Sequence, residues 1–468
     1  MRYHSEDTIA AISTPAGTGG IGIIRISGNE AVEIANKIFR GVSKRAAGKD
    51  AVARMSSHTL KYGTIVDPNT EELLDECLIS VMKAPHSYTK EDVVEINCHG
   101  GYAVMRKILS ILFQIGARPA EPGEFTKRAF INGRIDLSKA EAVMDLILAK
   151  TDAGRKTAAQ QLSGRLSGEI AAIREKLKLC LAEIEVALDY PEYEMDGEAG
   201  GSAITLLNEI QKKLKKLSDT FYRGHILKEG IKVAIAGIPN VGKSSLLNLL
   251  SGHDRAIVTD IPGTTRDTIE ESIDYEGIPI ILTDTAGLRE TSDAVEKIGV
   301  DRSYEVIQNS DIVVFMADIS DSVQAARSKE LLDEIKTKIE SDKNILVVLN
   351  KSDIEQREAS AVFGEYAVKM SVKENRGAEV LLEKIKELMQ IGAVENSDTV
   401  ITSERHKTLI DQALVALRKA EESYQANLPL DCISYDIWEC GKFLGEITGE
   451  SIEEDVMETI FSKFCLGK

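Results

Sequence analysis

Residues 231–245 read IKVAIAGIPNVGKSS, and this stretch decides the fold of the middle of the chain. IKVAIA is an apolar run rich in β-branched residues, which predicts a buried strand. Gly237 to Ser244 then follow the pattern G-x-x-x-x-G-K-S, and SLLNLL predicts an amphipathic helix ending at Gly252. A strand, a glycine-rich loop and a helix in this order form a phosphate-binding loop. We therefore expect Lys243 to contact the β- and γ-phosphates of a nucleotide and the Ser244 hydroxyl to bind Mg²⁺.

A second motif, Asp284-Thr285-Ala286-Gly287, follows the apolar run PIILT. An aspartate at this place can hold Mg²⁺ through a water molecule, and the glycine N–H can meet a γ-phosphate. We therefore expect this segment to sense hydrolysis of the nucleotide.

A third motif, NKSD at residues 350–353, follows the apolar run ILVVL and identifies the base. The Asp353 carboxylate can accept hydrogen bonds from N1–H and the 2-amino group of guanine. Adenine offers neither donor, and an unpaired buried carboxylate is costly, so GTP is preferred over ATP. We expect Asn350 and Lys351 to tie this loop to the phosphate-binding loop and to lie along the base.

The residue after the DTAG motif is Leu288, where Ras-like proteins place a glutamine that orients the attacking water. The segment TDIPGTTRD, residues 259–267, stands at the place of the first switch, and Thr265 is the natural second Mg²⁺ ligand. Asn240, inside the phosphate-binding loop, has a side-chain oxygen that can coordinate a monovalent cation beside the phosphates. An asparagine that only stabilises the loop is the alternative.

The residues expected to contact GTP come from the phosphate-binding loop, the first switch, the two following motifs and a segment after the last strand. They are Asn240, Val241, Gly242, Lys243, Ser244, Ser245, Thr259, Asp260, Ile261, Pro262, Gly263, Thr264, Thr265, Asp284, Thr285, Ala286, Gly287, Asn350, Lys351, Asp353, Ser371, Val372 and Lys373. In the last segment, residues 370–373 stand where small GTPases carry S-A-K, and Val372 departs from the alanine of that pattern.

Composition bounds the class of protein. A length of 468 residues suggests about three domains. No run approaches 18 apolar residues, so no membrane span is predicted, and the start MRYHSEDT lacks the parts of a signal peptide. Six cysteines without C-x-x-C spacing indicate reduced thiols in a cytoplasmic protein. The net charge of −18 makes the chain a poor stand-alone binder of nucleic acid, since phosphate neutralisation supplies most non-specific affinity.

The pattern of apolar residues divides the chain into four segments. Residues 1–118 mix β-rich runs with helical segments, which predicts an α+β domain, and residues 119–229 are helical in pattern. Residues 230–390 hold the nucleotide motifs, and residues 391–468 are helical again. The economical interpretation is one all-α domain into which an α/β P-loop (Ras-like) GTPase domain is inserted.

Longer stretches of the chain resemble one family. GIPNVGKSSLLN, TDIPGTTRD and DTAGLRE are similar to the potassium-activated branch of the Era/TrmE GTPases. Within that branch, the MnmE (TrmE) family of tRNA modification GTPases is matched by DTIAAISTPAGTGGIGIIRISG, SYTKEDVVEINCHGG, RPAEPGEFTKRAFINGRIDLSKAEAV and FCLGK. These four separated matches occur in the right order.

The resemblance implies a homodimeric GTPase that works with the flavoprotein MnmG (GidA) in a heterotetramer-type complex. Together they would add an aminomethyl or carboxymethylaminomethyl group at C5 of the wobble uridine, position 34, of certain tRNAs. The carbon would come from a tetrahydrofolate derivative (5-formyl- or methylene-tetrahydrofolate), the nitrogen from ammonium or glycine, and FAD would belong to the partner. Because this chain is acidic, we expect the tRNA to be bound mainly through the partner.

The resemblance also implies ion sites and a catalytic residue. K⁺ would be bound by Asn240, Thr259, Ile261 and Thr264, and Mg²⁺ by Ser244 and Thr265. Glu296, twelve residues after the DTAG aspartate, would orient the attacking water. Glu290 and Asp293 are rival carboxylates, and a solvated charge beside Lys297 is the alternative interpretation of Glu296.

In the resembling family the N-terminal domain, here residues 1–118, binds folate and dimerises. Arg25, Glu95, Arg134 and Lys468 match its formyl-tetrahydrofolate site, although the family often has lysine where Arg134 stands. Arginine and lysine can bind the glutamate carboxylates of folate, and a glutamate can accept from the aminopyrimidine edge of the pterin. Surface or interface ion pairs are the alternative for each residue.

Two other residues attract attention. Cys465 is a candidate for the modification chemistry if Lys463 or Lys468 depresses its pKa, and packing on an apolar helix face is the alternative. Trp438 is the only tryptophan, and we expect it in the core.

A different class of function is a ribosome-assembly switch of the Era/EngA kind, which binds RNA. Such a chain should carry a basic RNA-binding domain after the GTPase domain. Here an acidic helical segment follows instead, and the N-terminal segment resembles a folate-binding domain. A third interpretation is a scaffold whose GTPase acts only as a timer.

Overall fold

The computed structural model describes eleven stretches of the chain. They are residues 7–15, 17–41, 50–189, 198–252, 270–285, 304–339, 343–354, 360–363, 367–389, 399–426 and 428–468. The chain forms two compact units. The first comprises Met1–Met144, Ser167–Arg174 and Gly441–Lys468, and the second comprises Asp145–Leu166 and Glu175–Cys440.

The first unit contains a seven-stranded sheet in the order β3-β4-β5-β6-β2-β1-β7. Its strands are β1 (Ile9–Ile12), β2 (Gly22–Ser27), β3 (Phe39–Gly41), β4 (Thr59–Val66), β5 (Leu73–Met82), β6 (Val93–Cys98) and β7 (Arg118–Pro119). All neighbours are antiparallel except β1 and β7, which are parallel.

Two helices, α1 (Ala31–Ile38) and α2 (Tyr102–Gln114), bury an apolar stripe in the core of this unit. Because successive residues of a strand face opposite sides, Ile24 and Ile26 are buried in that core while Arg25 points to the other face. Arg25 pairs in register with Glu95 of β6. The sheet therefore presents an ion pair on the face opposite its helices.

The first unit is completed by α3 (Glu124–Ile131) and by chain from the far end of the sequence. The helix α14 (Glu454–Ser462) carries Phe461, which packs against Phe130 with ring centroids 6.3 Å apart. Residues Leu137, Ala140, Met144, Met457 and Phe464 join them in one apolar cluster.

The second unit contains a six-stranded sheet in the order β13-β12-β11-β8-β10-β9. Its strands are β8 (Ile231–Gly237), β9 (Glu270–Tyr275), β10 (Ile278–Asp284), β11 (Ile312–Asp318), β12 (Asn344–Asn350) and β13 (Val368–Lys369). Only β9 runs antiparallel to its neighbour. Every residue of β11 is buried, as expected for a central parallel strand covered on both faces.

The helices from α4 onward follow the apolar periodicity of the sequence. They are α4 (Leu137–Leu148), α5 (Asp152–Leu162), α6 (Arg165–Asp189), α7 (Glu198–Asp219), α8 (Phe221–Glu229), α9 (Lys243–Ser251), α10 (Ser322–Lys338), α11 (Ala378–Leu388), α12 (Glu404–Gln425) and α13 (Leu430–Thr448). The predicted multidomain architecture, with an α+β part, an all-α part and a P-loop sheet, is confirmed. The exact domain boundaries stay predictions.

The expectation that Trp438 lies in the core is wrong, since 54% of this residue is exposed. On α13 the buried face is formed by Ile433, Ile437, Cys440 and Leu444, at spacings of four, three and four. Trp438 follows Ile437 and therefore points away from that face. Within the described part of the chain, no helix combines the length and apolar character needed to cross a membrane.

Candidate functional site

The phosphate-binding loop of the second unit has no room for side chains at two glycines. A Cβ on Gly237, the last residue of β8, would lie 2.4 Å from the Met316 carbonyl oxygen. A Cβ on Gly242, before α9, would lie 2.7 Å from Nδ2 of Asn350. Both glycines also have positive φ, 149° and 106°, which side chains disfavour. The loop geometry thus requires the glycines of the motif.

Lys243 is the first residue of α9 and is only 7% exposed. Its Nζ donates to the carbonyl oxygens of Gly237 at 2.7 Å and Ile238 at 3.0 Å. Burial lowers the pKa of Lys243, and the charge of Asp284 opposes this shift. A phosphate at the loop would offer this ammonium charged acceptors, which bind more strongly than carbonyl oxygens.

The Ser244 hydroxyl donates to Oδ2 of Asp284 at 3.0 Å. The two residues meet because β8 and β10 are parallel neighbours and Asp284 pairs with Ile235. Asp284 is 8% exposed, whereas Ser244 is exposed at the surface of the loop. A hydroxyl and a carboxylate side by side are the hard oxygen donors that Mg²⁺ prefers, so these two residues fit the ion.

The base-recognition loop begins where β12 ends. Asn350 is buried, and its Nδ2 donates to the Val241 carbonyl oxygen at 2.7 Å. Its Oδ1 accepts from the Val372 N–H at 3.1 Å. Asn350 thus joins three segments that were expected to contact GTP.

Lys351 makes a different contact from the expected one. Its Nζ lies 2.5 Å from Oδ2 of Asp318, at the end of β11. Sequence reasoning did not identify Asp318, although a charged residue ending the apolar run IVVFMA was a signal. That Lys351 lies along the base stays a prediction.

The carboxylate of Asp353 is held by a hydrogen bond and favours its ionised form. The hydroxyl of Ser371, a fully buried residue, donates to its Oδ1 at 2.7 Å. This hydrogen bond, with the charges of Lys373 and Arg376, holds the pKa of Asp353 below its ordinary value. An ionised carboxylate suits two neighbouring donors such as those on guanine.

Part of the expected nucleotide site lies outside the described residues: Thr259, Asp260, Ile261, Pro262, Gly263, Thr264, Thr265, Ala286, Gly287 and Glu296. Of the expected K⁺ ligands, the structure describes Asn240, which is exposed in the loop with φ of 60°. A left-handed conformation is uncommon for a residue with a side chain, although asparagine tolerates it best. The roles of all these residues stay predictions.

A second group of polar residues lies in the first unit. Nε of Arg25 donates to Oε1 of Glu95 at 2.9 Å, and its Nη1 donates to the Gly467 carbonyl oxygen at 3.2 Å. The Ser13 hydroxyl donates to the same carbonyl at 3.0 Å. Residue Gly467 has φ of 85°, and a Cβ there would lie 2.4 Å from the Ile12 carbonyl oxygen. The chain near its last residues is thus fitted closely against β1.

Tyr88 joins two of the predicted folate residues. Its ring centroid lies 5.5 Å from Cζ of Arg25 and 4.7 Å from Cζ of Arg134. Nη1 of Arg134 also donates to the Tyr88 carbonyl oxygen at 3.2 Å. These distances are those of cation–π contacts. Sequence reasoning did not identify Tyr88, because nothing in SYTKED indicates two arginine neighbours.

Lys468 lies near the same ion pair. Burial lowers the pKa of Lys468, the charge of Arg25 lowers it further, and Glu95 opposes the shift. The Lys468 carbonyl oxygen accepts from the Phe125 N–H at 3.2 Å. Cys465 is exposed, and its carbonyl oxygen accepts from the Lys468 N–H at 3.3 Å.

We call Arg25, Tyr88, Glu95, Arg134 and Lys468 the arginine cluster. The Tyr88 ring lies against the guanidinium groups of Arg25 and Arg134, and Arg25 pairs with Glu95. Lys468 lies close enough to Arg25 and Glu95 for their charges to shift its pKa. The cluster thus contains two guanidinium groups, one ammonium group and one carboxylate. Such a group suits a ligand that carries carboxylates and, at another edge, hydrogen-bond donors.

Comparison with known proteins covers nearly the whole chain. A family model described as "MnmE helical domain" matches residues 137–465, and one described as "GTP-binding protein TrmE N-terminus" matches residues 8–134. The chain is 49% identical over 474 residues to the tRNA modification GTPase MnmE of Acetivibrio thermocellus, covering 99% of this chain and 100% of that protein. It is 47% and 45% identical to the proteins of the same name from Carboxydothermus hydrogenoformans and Bacillus licheniformis, each with 99% of this chain and 100% of the relative covered.

Proposed function

The chain belongs to the MnmE family of tRNA modification GTPases, and from that premise we propose that it is a potassium-activated GTPase which modifies the wobble uridine of certain tRNAs. Its partner is the flavoprotein MnmG, in a heterotetramer-type complex built on a homodimer of this chain in the cytoplasm. The product carries an aminomethyl or carboxymethylaminomethyl group at C5. The carbon comes from a tetrahydrofolate derivative and the nitrogen from ammonium or glycine.

One observation carries this proposal: a single chain holds a guanine-type loop in one unit and the arginine cluster in the other. A GTPase that acts only as a timer has no use for the cluster. A one-carbon donor that is bound through its glutamate carboxylates does need such a group of cations.

In the second unit, Asp353 selects guanine and Lys243 holds the phosphates. Ser244, Asp284 and Thr265 would hold Mg²⁺, which would neutralise charge on the phosphate oxygens. Asn240, with Thr259, Ile261 and Thr264, would hold K⁺, which would supply the positive charge that an arginine finger gives other GTPases. Leu288 has no polar group with which to orient the attacking water, and Glu296 takes this role instead.

In the first unit, Arg25, Arg134 and Lys468 bind the carboxylates of the tetrahydrofolate derivative, and Glu95 accepts hydrogen bonds from the pterin edge. The Arg25–Glu95 ion pair holds both side chains in place, with Nη2 of Arg25 2.8 Å from Oε1 of Glu95. Cys465 is exposed near Lys468 and is the candidate for a role in the modification step.

The test is a nucleoside analysis of tRNA from a strain that lacks this gene, complemented with the parent chain or with Arg25→Gln. The parent should restore the modified uridine at position 34. The variant should leave the uridine unmodified while its GTP hydrolysis stays within about twofold of the parent. A strain with normal nucleosides and defective ribosomal subunits would instead favour an assembly switch of the Era/EngA kind.

A further inference from the structure

Asp318 lies beside the base-recognition loop without belonging to it. It is the last residue of β11, it is 5% exposed, and it pairs in register with Asn350 of β12. The Ile319 N–H donates to the Asn350 carbonyl oxygen at 3.3 Å. The chain after Asp318 therefore runs directly against the first residue of the NKSD motif.

The carboxylate of Asp318 is fixed by its own loop. Its Oδ1 accepts from the Ser320 N–H at 3.0 Å and from the Ser320 hydroxyl at 2.6 Å. Its Oδ2 is left to face Nζ of Lys351 at 2.5 Å. Burial alone would raise the pKa of Asp318, but the hydrogen bonds from Lys351 and Ser320 hold it below its ordinary value. The group is an anion with a set orientation.

Lys351 needs such a contact because its backbone is in an unfavourable conformation. Its φ is 66°, in the left-handed region, which is unfavourable for a residue with a side chain. The lysine is also 36% exposed at its side chain, so water competes for the ammonium. The ion pair to a buried, oriented carboxylate offsets part of both costs.

Each of the three side chains of the NKSD motif that were expected to contact the nucleotide therefore has a hydrogen-bond partner that holds it, here called its anchor. Asn350 is held by Val241, and Asp353 is held by Ser371. Lys351 is held by Asp318, the only one of the three anchors outside the segments expected to contact GTP.

We propose that Asp318 is a positioning residue for guanine nucleotides, which fixes the Lys351 ammonium so that the methylene chain of this lysine forms one wall of the base site. The inference rests on the proposed recognition of guanine by Asp353. Asp318 itself does not touch the base. Its loss weakens contacts on the base side and leaves the phosphate side unchanged, so GDP and GTP are affected equally.

The test compares the full-length parent with Asp318→Asn, which keeps the shape of the side chain and an acceptor for Ser320. We expect the Kd of both GDP and GTP to rise about tenfold, which corresponds to about 1.4 kcal/mol and is typical of a hydrogen bond to a charged group. The kcat at saturating GTP should stay within twofold while KM rises. Asp333→Asn, on the exposed face of α10 where Asp333 pairs with Lys329 at 3.0 Å, is the matched control and should change nothing.

A double-mutant cycle with Lys351→Met shows whether Asp318 acts through Lys351 or whether its substitution disturbs the whole base-recognition loop. In the Lys351→Met background, Asp318→Asn should change the Kd of GDP less than twofold. An unchanged Kd in the single variant overturns the inference, as does a tenfold loss in both backgrounds or a fall in kcat equal to the change in KM.

The variant Asp353→Asn shows whether a negative result concerns the role of Asp318 alone or the proposed recognition of guanine as well. If Asp353→Asn exchanges GTP for xanthosine triphosphate while Asp318→Asn binds normally, only the role of Asp318 is wrong. If Asp353→Asn binds GTP like the parent, the assignment of the base site fails and the role of Asp318 fails with it.

Discussion

The nucleotide loop and the arginine cluster hold their polar groups by different means. In the nucleotide loop, Lys243 and Asn350 stand at helix and strand ends, and backbone carbonyl oxygens fix them. In the arginine cluster, Arg25 and Glu95 stand in the middle of antiparallel strands and fix each other. Parallel strands bring their carboxyl ends to one edge of a sheet, so short motifs suffice there. The cluster instead depends on residues more than four hundred positions apart, such as Arg25 and Gly467.

The contrast predicts that removing one side chain in the nucleotide region has a large effect on the hydrolysis or binding of GTP. Glu296→Ala should reduce kcat for GTP by about 10²–10⁴, the usual contribution of a group that handles the attacking water. The Kd for GTP should remain close to that of the parent. Single-turnover hydrolysis measures the first quantity and equilibrium binding the second.

Glu290→Ala and Asp293→Ala are the controls for this prediction, because they remove the neighbouring carboxylates. Hydrolysis by Glu296→Ala within a few-fold of the parent would assign the role to another residue.

Base selection should also depend on one carboxylate. Asp353→Asn should weaken GTP by at least about a hundredfold, because the two donors of guanine lose an anionic acceptor. The amide suits the extra carbonyl of xanthine, so xanthosine triphosphate should bind better to the variant than GTP does. Competition between the two nucleotides measures this exchange, and an unaltered preference for GTP would contradict it.

The arginine cluster should also depend on the close fit of Gly467, an uncharged residue whose carbonyl oxygen accepts from Arg25. Gly467→Ala places a methyl group 2.4 Å from the Ile12 carbonyl oxygen and in a left-handed conformation. Arg25 and Ser13 then lose their shared acceptor, and we expect tetrahydrofolate binding to weaken about tenfold. GTP hydrolysis should be unaffected.

The matched control is Gly441→Ala on α13, where an added Cβ meets nothing within 4 Å. Calorimetric titration with 5-formyl-tetrahydrofolate compares the two variants. Equal affinities in both would show that the close approach at Gly467 has no bearing on the ligand.

Removing the aromatic ring of Tyr88 should have the smallest effect, a modest loss of folate affinity. Tyr88→Leu removes the cation–π contacts to Arg25 and Arg134, each contributing about 0.5–1 kcal/mol at exposed sites. Folate affinity should fall about fivefold. Tyr88→Phe keeps the ring and loses only the hydroxyl bonded to Thr126 at 2.9 Å, so its affinity should stay within twofold. An equal loss in Tyr88→Phe and Tyr88→Leu would mean that the hydroxyl, which both variants lack, matters and the ring does not.

These differences also explain what the sequence could predict. The loop from Gly237 to Ser244 and the NKSD motif are local patterns, and the structure has the strand, loop and helix they predict. The partner of Lys351 was missed because Asp318 is 33 positions away and no spacing rule joins the ends of β11 and β12. Trp438 is exposed although tryptophan is an apolar residue type, because its position on α13 lies outside the buried face. The arginine cluster has no local pattern at all, so only the family resemblance could identify its members.

The first unit takes most of its residues from two distant parts of the sequence, so it cannot be completed until Gly441–Lys468 has been synthesised. Residues up to Met144 leave the ribosome long before Gly441–Lys468, with about 300 residues in between. At 5–20 residues per second that interval is about 15–60 seconds. The strands β8 to β13 all lie in one stretch of the sequence, residues 231–369, and can pair during this time. We therefore expect this six-stranded sheet to form before the Gly467 carbonyl oxygen is available to accept from Arg25.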